Sequence, residues 1–264
     1  MRILSQNFAA ALAVTVALAL SASGCKQTPY KEPEADRVFD VRIAIGYKDA
    51  RPARFVSDRY ERATLVHSLL KPCAVSANLA CGFARHPQDG DLLLKTFTTN
   101  AGAKAKVRLR ITASSAGADD DENKRDPYQE PLSKFAEANF LGGIAEADAV
   151  FYIGHSRDGG GPDFAPPRLN EYKHVDYDWY KQEKIGLGKL RKALREVNSS
   201  LPGGLRVLGL MSCASTLHFA KKLHADAPKL ELKTMKELVY YAAALSETLS
   251  AVHSFLKNVN EADY

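Results

Sequence analysis

The sequence predicts an α/β domain, a mainly parallel sheet flanked by helices, and three observations carry that expectation. Residues 149–154 (AVFYIG) are a continuous apolar run, the composition of a strand covered on both faces, and 205–211 (LRVLGLM), apolar but for Arg206, reads as a second buried strand. Stretches with apolar residues at helical spacing lie before, between and after them, so the two kinds of element alternate. Gly- and Pro-rich segments such as 158–167 and 202–204 punctuate that alternation.

In chain order, residues 1–24 read as a signal peptide. Arg2 supplies a positive start, and 8–20 is an uncharged apolar run too short to span a bilayer comfortably. Small residues follow (Ser21, Ala22, Ser23, Gly24), and then Cys25. A signal peptidase pocket excludes large side chains, and a lipoprotein site adds a Cys directly after the cut, whose thiol takes the diacylglycerol. ASGC resembles the bacterial lipobox, although Ala22 stands where Leu is the commoner choice. The resemblance implies lipidation at Cys25 and contact with a membrane through that lipid anchor. The other reading is ordinary secretion, with Cys25 a bystander thiol. Lys26 is not the Asp that resembles an inner-membrane retention signal, so the expected place is the bacterial cell envelope, on the outer membrane facing the periplasm. Residues 25–36 are rich in Pro and charge with no apolar period, which predicts a flexible tether.

Beyond the tether the chain is long enough for one domain with a sizeable core. The net charge of +5 mixes both signs along the chain. It favours anionic lipid slightly and gives no reason to expect a nucleic-acid partner. Residues 37–104 form an N-terminal section of uncertain structure. Within it 38–46 alternates like a strand, 65–70 suggests a short helix, and 91–98 suggests another strand. Cys73 and Cys81, flanked by Pro72 and Gly82 in an exported chain, are expected to form a local disulfide. A zinc site with His67 and His86 is the rival, but the spacing fits no standard finger.

Residues 105–264 carry the clearer rhythm. A strand at 106–112 leads into an acidic loop containing Asp119, Asp120 and Asp121. A helix is expected over 131–146, where Leu132, Phe135, Ala136, Phe140 and Ile144 lie near helical spacing. After the strand at 149–154 and a Gly/Pro loop, Leu187, Leu190, Leu194 and Val197 mark one face of a basic amphipathic helix. The strand at 205–211 runs straight into Cys213 and a helix over 216–225. A short strand at 230–234 and a long helix over 235–258 close the reading.

In such sheets ligands bind beyond the carboxyl ends of the strands. His155 follows one buried strand and Cys213 the other. A thiol there can act as a nucleophile, and an imidazole beside it as base for the thiol and acid for a leaving amine. A strand ending in His, then helix, then a strand ending in Cys resembles the caspase-like fold of cysteine peptidases, which includes caspases, gingipains and legumains. YIGHSRDGGGPDF and VLGLMSCAS correspond to its two blocks, and the likeness covers roughly residues 105 to 235. It implies a cysteine peptidase acting on a peptide or protein substrate, with His155 and Cys213 catalytic and no cofactor or metal. The loop residues Ser156, Arg157, Asp158, Gly159 and Asp163 would serve the oxyanion and the substrate. Two departures stand out. Ser156 occupies the place of a glycine that lends an amide to the oxyanion hole, and no glycine follows Cys213. The competing expectation is a non-catalytic envelope lipoprotein that uses the same scaffold for binding.

Other chemistries fit less well. Gly154-His155-Ser156-Arg157-Asp158 lacks the fifth-place Gly of a nucleophile elbow, and the residues after it oppose the helix that motif requires. No Lys-Ser/Thr follows the glycines, as a phosphate loop would need. His155, His174, Asp176, Asp178 and the Asp119–Asp121 run offer cation ligands only if the fold gathers them, and acidic loop runs are usually just solvated. The aromatic stretch at 172–180 is either a substrate wall or loop packing.

Overall fold

The computed structural model describes residues 30–48, 57–74, 78–198 and 204–262. The expected signal peptide, Cys25 and the first part of the expected tether lie outside the described residues.

The fold is α/β: a seven-stranded, mostly parallel sheet with helices on both faces. The strand order is β2-β3-β4-β1-β5-β6-β7. In chain order the strands are β1 (Arg37–Ile45), β2 (Ala84–His86), β3 (Asp89–Thr98), β4 (Lys104–Ala113), β5 (Ala149–Ile153), β6 (Val207–Met211) and β7 (Glu231–Thr234). From β4 to β7 every neighbour is parallel, because each such pair is separated in sequence by helix-bearing crossovers. The short links from β2 to β3 and from β3 to β4 allow only antiparallel pairing.

Alternation of side chains sorts the core into two layers. Phe39, Val41, Ile43, Ile45, Phe151 and Ile153 face α1 (Asp58–Leu70) and α7 (Tyr241–Glu261). On the other face Ala44, Val150, Tyr152, Leu208 and Leu210 meet α3 (Gln129–Glu146), α5 (Ile185–Asn198) and α6 (Lys221–Asp226). The helices α2 (Asp120–Asn123) and α4 (Tyr177–Glu183) are short and lie in the loops that follow β4 and β5. Of the two runs read as buried strands, β5 and β6 are buried along their whole length, while Gly154 and Leu205 at the margins are half-buried and Arg206 is exposed.

The section at 37–104 belongs to this same body. Contacts join Glu32–Tyr264 into one unit, and β1 sits in the middle of the sheet, so no boundary falls at 104/105. The end of the expected tether is pinned as well. Asp36 N–H donates to Lys104 O (2.9 Å), Lys104 N–H returns a bond to the Asp36 carboxylate (2.7 Å), and Glu32 pairs with Lys106 (2.9 Å). Cys73 and Cys81 form a disulfide that ties the segment after α1 to the approach of β2, which removes the zinc alternative. Among the described residues no helix is long and apolar enough to cross a membrane.

Candidate active site

Parallel pairing of β5 with β6 sets the site. Ile153 is the register partner of Met211, and Gly154 N–H continues the ladder to Met211 O (3.4 Å). His155 and Cys213 each lie two residues past that matched pair, so they leave the sheet at the same edge from neighbouring strands. Both line a cavity of about 330 Å³ with Ser156, Arg157, Asp158, Tyr177, Ala214, His218 and Leu238. Both are half-buried, so the thiol is free, neither disulfide-bonded nor sealed in hydrocarbon.

Cys213 is held by a segment that the periodicity assigns to the last helix. That helix starts at Tyr241, and 235–240 is a loop instead. Its backbone bonds go to the turn around the thiol and not to itself. Ala214 N–H donates to Glu237 O (2.9 Å), Thr216 N–H to Met235 O (3.0 Å), and Met235 N–H to Ser215 Oγ (2.8 Å). Val239 N–H points at Cys213 Sγ from 3.4 Å. These contacts engage backbone donors and acceptors of the segment outside any helix, so Met-Lys-Glu-Leu-Val-Tyr is helix-compatible in sequence and a loop in place. The helix expected after Cys213 begins instead as a π-helical turn, Thr216–Ala220, before α6.

On the histidine side, the loop is built around one phenol. Tyr152, wholly buried on β5, directs its hydroxyl to His155 O (3.0 Å) and Asp163 O (3.2 Å) and accepts from Asp163 N–H (3.0 Å). Burial raises the Tyr152 pKa far above the ordinary phenol value, so the group stays a neutral hydroxyl. Arg157 and Asp163, expected to shape a substrate pocket, instead form an ion pair inside the loop. The Arg157 side chain is fully buried, with Nε 2.7 Å from Asp163 Oδ2 and the guanidinium 5.5 Å from the Tyr180 ring centroid. Tyr180 adds a hydroxyl bond to the same carboxylate (3.1 Å).

Asp158 is the loop carboxylate that reaches the cavity, where it pairs with Lys181 (2.7 Å) and His218 Nε2 (3.8 Å). Ser156 is buried, and its carbonyl accepts from Gly159 N–H (3.0 Å) and Gly161 N–H (3.3 Å). Gly160 N–H donates to Arg157 O (2.9 Å). The glycine amides expected to face an oxyanion are thus turned onto their own loop. The close approach those glycines imply is real, and its partner is α5. A Cβ on Gly161 would lie 1.9 Å from Leu187 N, and one on Gly186 would lie 2.1 Å from Pro162 O.

His218 and Leu238 are the lining residues that sequence reasoning missed, whereas Tyr177 belongs to the aromatic stretch at 172–180 that the sequence offers as either a substrate wall or loop packing. His218 stands five positions after Cys213, in the first turn of the following helix, and that spacing is the signal available. The residues weighed for a cation divide between other tasks and a second cavity. Asp119 caps α2 by accepting from Asp121 N–H and Glu122 N–H, and buried Asp120 binds Tyr47 Oη (2.5 Å) and Lys124 (2.9 Å). His174, Asp176 and Asp178 line a separate cavity of about 660 Å³, together with Asp120 and Tyr177. Among the described residues no group of three His, Cys, Asp or Glu side chains is placed to hold a metal ion.

Comparison with protein-family models finds no match, and comparison with curated proteins finds none either.

Proposed function

We propose that the protein is an exported, lipid-anchored cysteine peptidase of caspase-like type, with Cys213 the nucleophile and His155 the general base and acid. The observation that carries the reading is one shared cavity: a free thiol and an imidazole leave adjacent parallel strands at equal register and line the same space. The order strand–His, helices, strand–Cys is the order on which the caspase-like resemblance rests. In the reaction, His155 takes the thiol proton as sulfur bonds to the peptide carbonyl carbon. The imidazolium then returns the proton to the leaving amine, and water hydrolyses the thioester. The oxyanion role passes from the glycine loop to the Cys213 amide. Among the described residues that amide has no acceptor, whereas the amides of Ala214 and Ser215 are already bonded. Anchoring through Cys25, and the outer membrane facing the periplasm as its place, belong to this proposal and rest on the sequence motif.

The second reading, a non-catalytic envelope binding module, is favoured by one feature. Ala214 stands at a left-handed backbone position (φ 49°) directly after the thiol, where glycine fits without strain. Cleavage of a fluorogenic peptide library, with mass-spectrometric mapping of alkylated Cys213, decides between the two. The peptidase cleaves some library members, loses all cleavage in Cys213→Ser, and loses about 10²–10⁴-fold in His155→Ala. Folded protein that cleaves nothing belongs to the binding module.

A further inference from the structure

We infer that the side chain this site recognises beside the scissile bond is apolar; the inference rests on the peptidase reading. A charged pocket would need a charged group left to meet the substrate, and the two fixed charges on the cavity wall are both engaged. Arg157 is ion-paired to Asp163 in the loop interior. The Asp158 carboxylate lies between Lys181 and His218. What the cavity adds is Tyr177, Ala214 and Leu238.

The 235–240 loop extends that surface. Val239 turns its side chain into the core beside the thiol, and its neighbours Leu238 and Tyr240 are 78% and 82% exposed. This is the alternation of an extended segment, which puts both neighbours on the solvent side. Leu217, next to the lining residue His218, is 80% exposed. Single exposed hydrophobes are ordinary, but Leu238 lines the cavity itself and Tyr240 follows it on the same side of the chain, which leaves apolar surface open for a ligand to cover. The chemistry that fits is a peptide with a branched aliphatic or aromatic residue on the acyl side of the cleaved bond.

Three peptidyl acyloxymethyl ketones that differ only in a terminal Leu, Arg or Asp provide the test. The thiolate displaces the acyloxy group as carboxylate and forms a stable thioether at Cys213, and His155 takes the thiol proton. The Leu probe is expected to label at least about tenfold faster than the Arg or Asp probe. With iodoacetamide alkylation as the measure of thiol reactivity, the ratio of Leu-probe rate to iodoacetamide rate is expected to fall about tenfold in Leu238→Gln and to hold in Leu238→Met. An Arg or Asp probe that matches the Leu probe, or an unchanged ratio in Leu238→Gln, overturns the apolar preference and leaves the peptidase reading standing. If iodoacetamide labels Cys213 and none of the three ketones does, both fall.

Discussion

At the scale of single residues, the position after the cavity thiol is the most instructive. Ala214 is held at φ 49° from both sides: its amide donates to Glu237 O and its carbonyl accepts from His218 N–H. For a residue with a Cβ this conformation costs about 1–2 kcal/mol, and glycine avoids the cost while losing more entropy on folding. Ala214→Gly should therefore raise stability by about 0.5–1 kcal/mol net, seen as a higher denaturant midpoint at unchanged slope. A lower midpoint would show that the strain account is wrong. The same neighbourhood marks what was readable in advance. His155 and Cys213 were legible because a strand end is a position that periodicity locates. The roles of Arg157 and Asp163 were not legible, since nothing in a one-dimensional pattern says whether two opposite charges six residues apart meet each other or a substrate. Burial of the arginine decides it, because an unpaired guanidinium in that interior would be too costly.

At the scale of elements, the Gly-rich loop and the start of α5 fit together through Gly161 and Gly186, with backbone of the opposite segment in the space where each one's Cβ would go. Leu187 N–H donates to Gly160 O (3.0 Å), which fixes the crossing. Gly161 also sits at φ 112°, a conformation that side chains rarely adopt. Gly161→Ala should cost more than about 2 kcal/mol and shift the loop that carries His155, so thermal stability and peptide-probe labelling fall together. Gly188, two residues further along α5, faces open space. Gly188→Ala should instead stabilise by about 0.5–1 kcal/mol with labelling intact, since alanine is the better helix former. A loss of stability in both variants would mean that α5 tolerates no change there and would remove the crossing as the explanation. The alternation of strands and helices was readable from sequence because burial imposes a period. The 235–240 loop was not, because its partners are backbone and side-chain atoms of the distant turn at 213–216.

At the scale of the whole molecule, the carboxyl edge of the sheet collects its polar chemistry in two places. One is the thiol cavity after β5 and β6. The other lies past β1 and β4, where buried Asp58 accepts from Ser115 N–H (2.6 Å) and buried Glu61 pairs with Lys48. No hydrophobic pattern foretold this second cluster, since the two carboxylates occupy inward-facing positions of α1 where apolar residues would be expected. Burial pushes Asp58 up to about 6 and Glu61 up to about 7, only partly offset by hydrogen bonds and by Lys48. Both groups hold their protons more tightly folded than unfolded. Their contribution is therefore fully present below about pH 4, the range of the free carboxyl pKa values, and is lost as pH rises through 6 to 7. The paired carboxylates Glu32, Asp89 and Asp226 are shifted downward, away from this window. The melting temperature should accordingly be at least about 5 °C lower at pH 8 than at pH 5. Glu61→Gln should flatten that slope, because a neutral amide has no proton to lose. A melting temperature that climbs between pH 5 and pH 8, or a slope that Glu61→Gln leaves unchanged, would mean that the buried pair stays ionised in the folded chain. Lys48 would then hold Glu61 as a full salt bridge, and the carboxyl edge would carry fixed charge at both of its polar clusters.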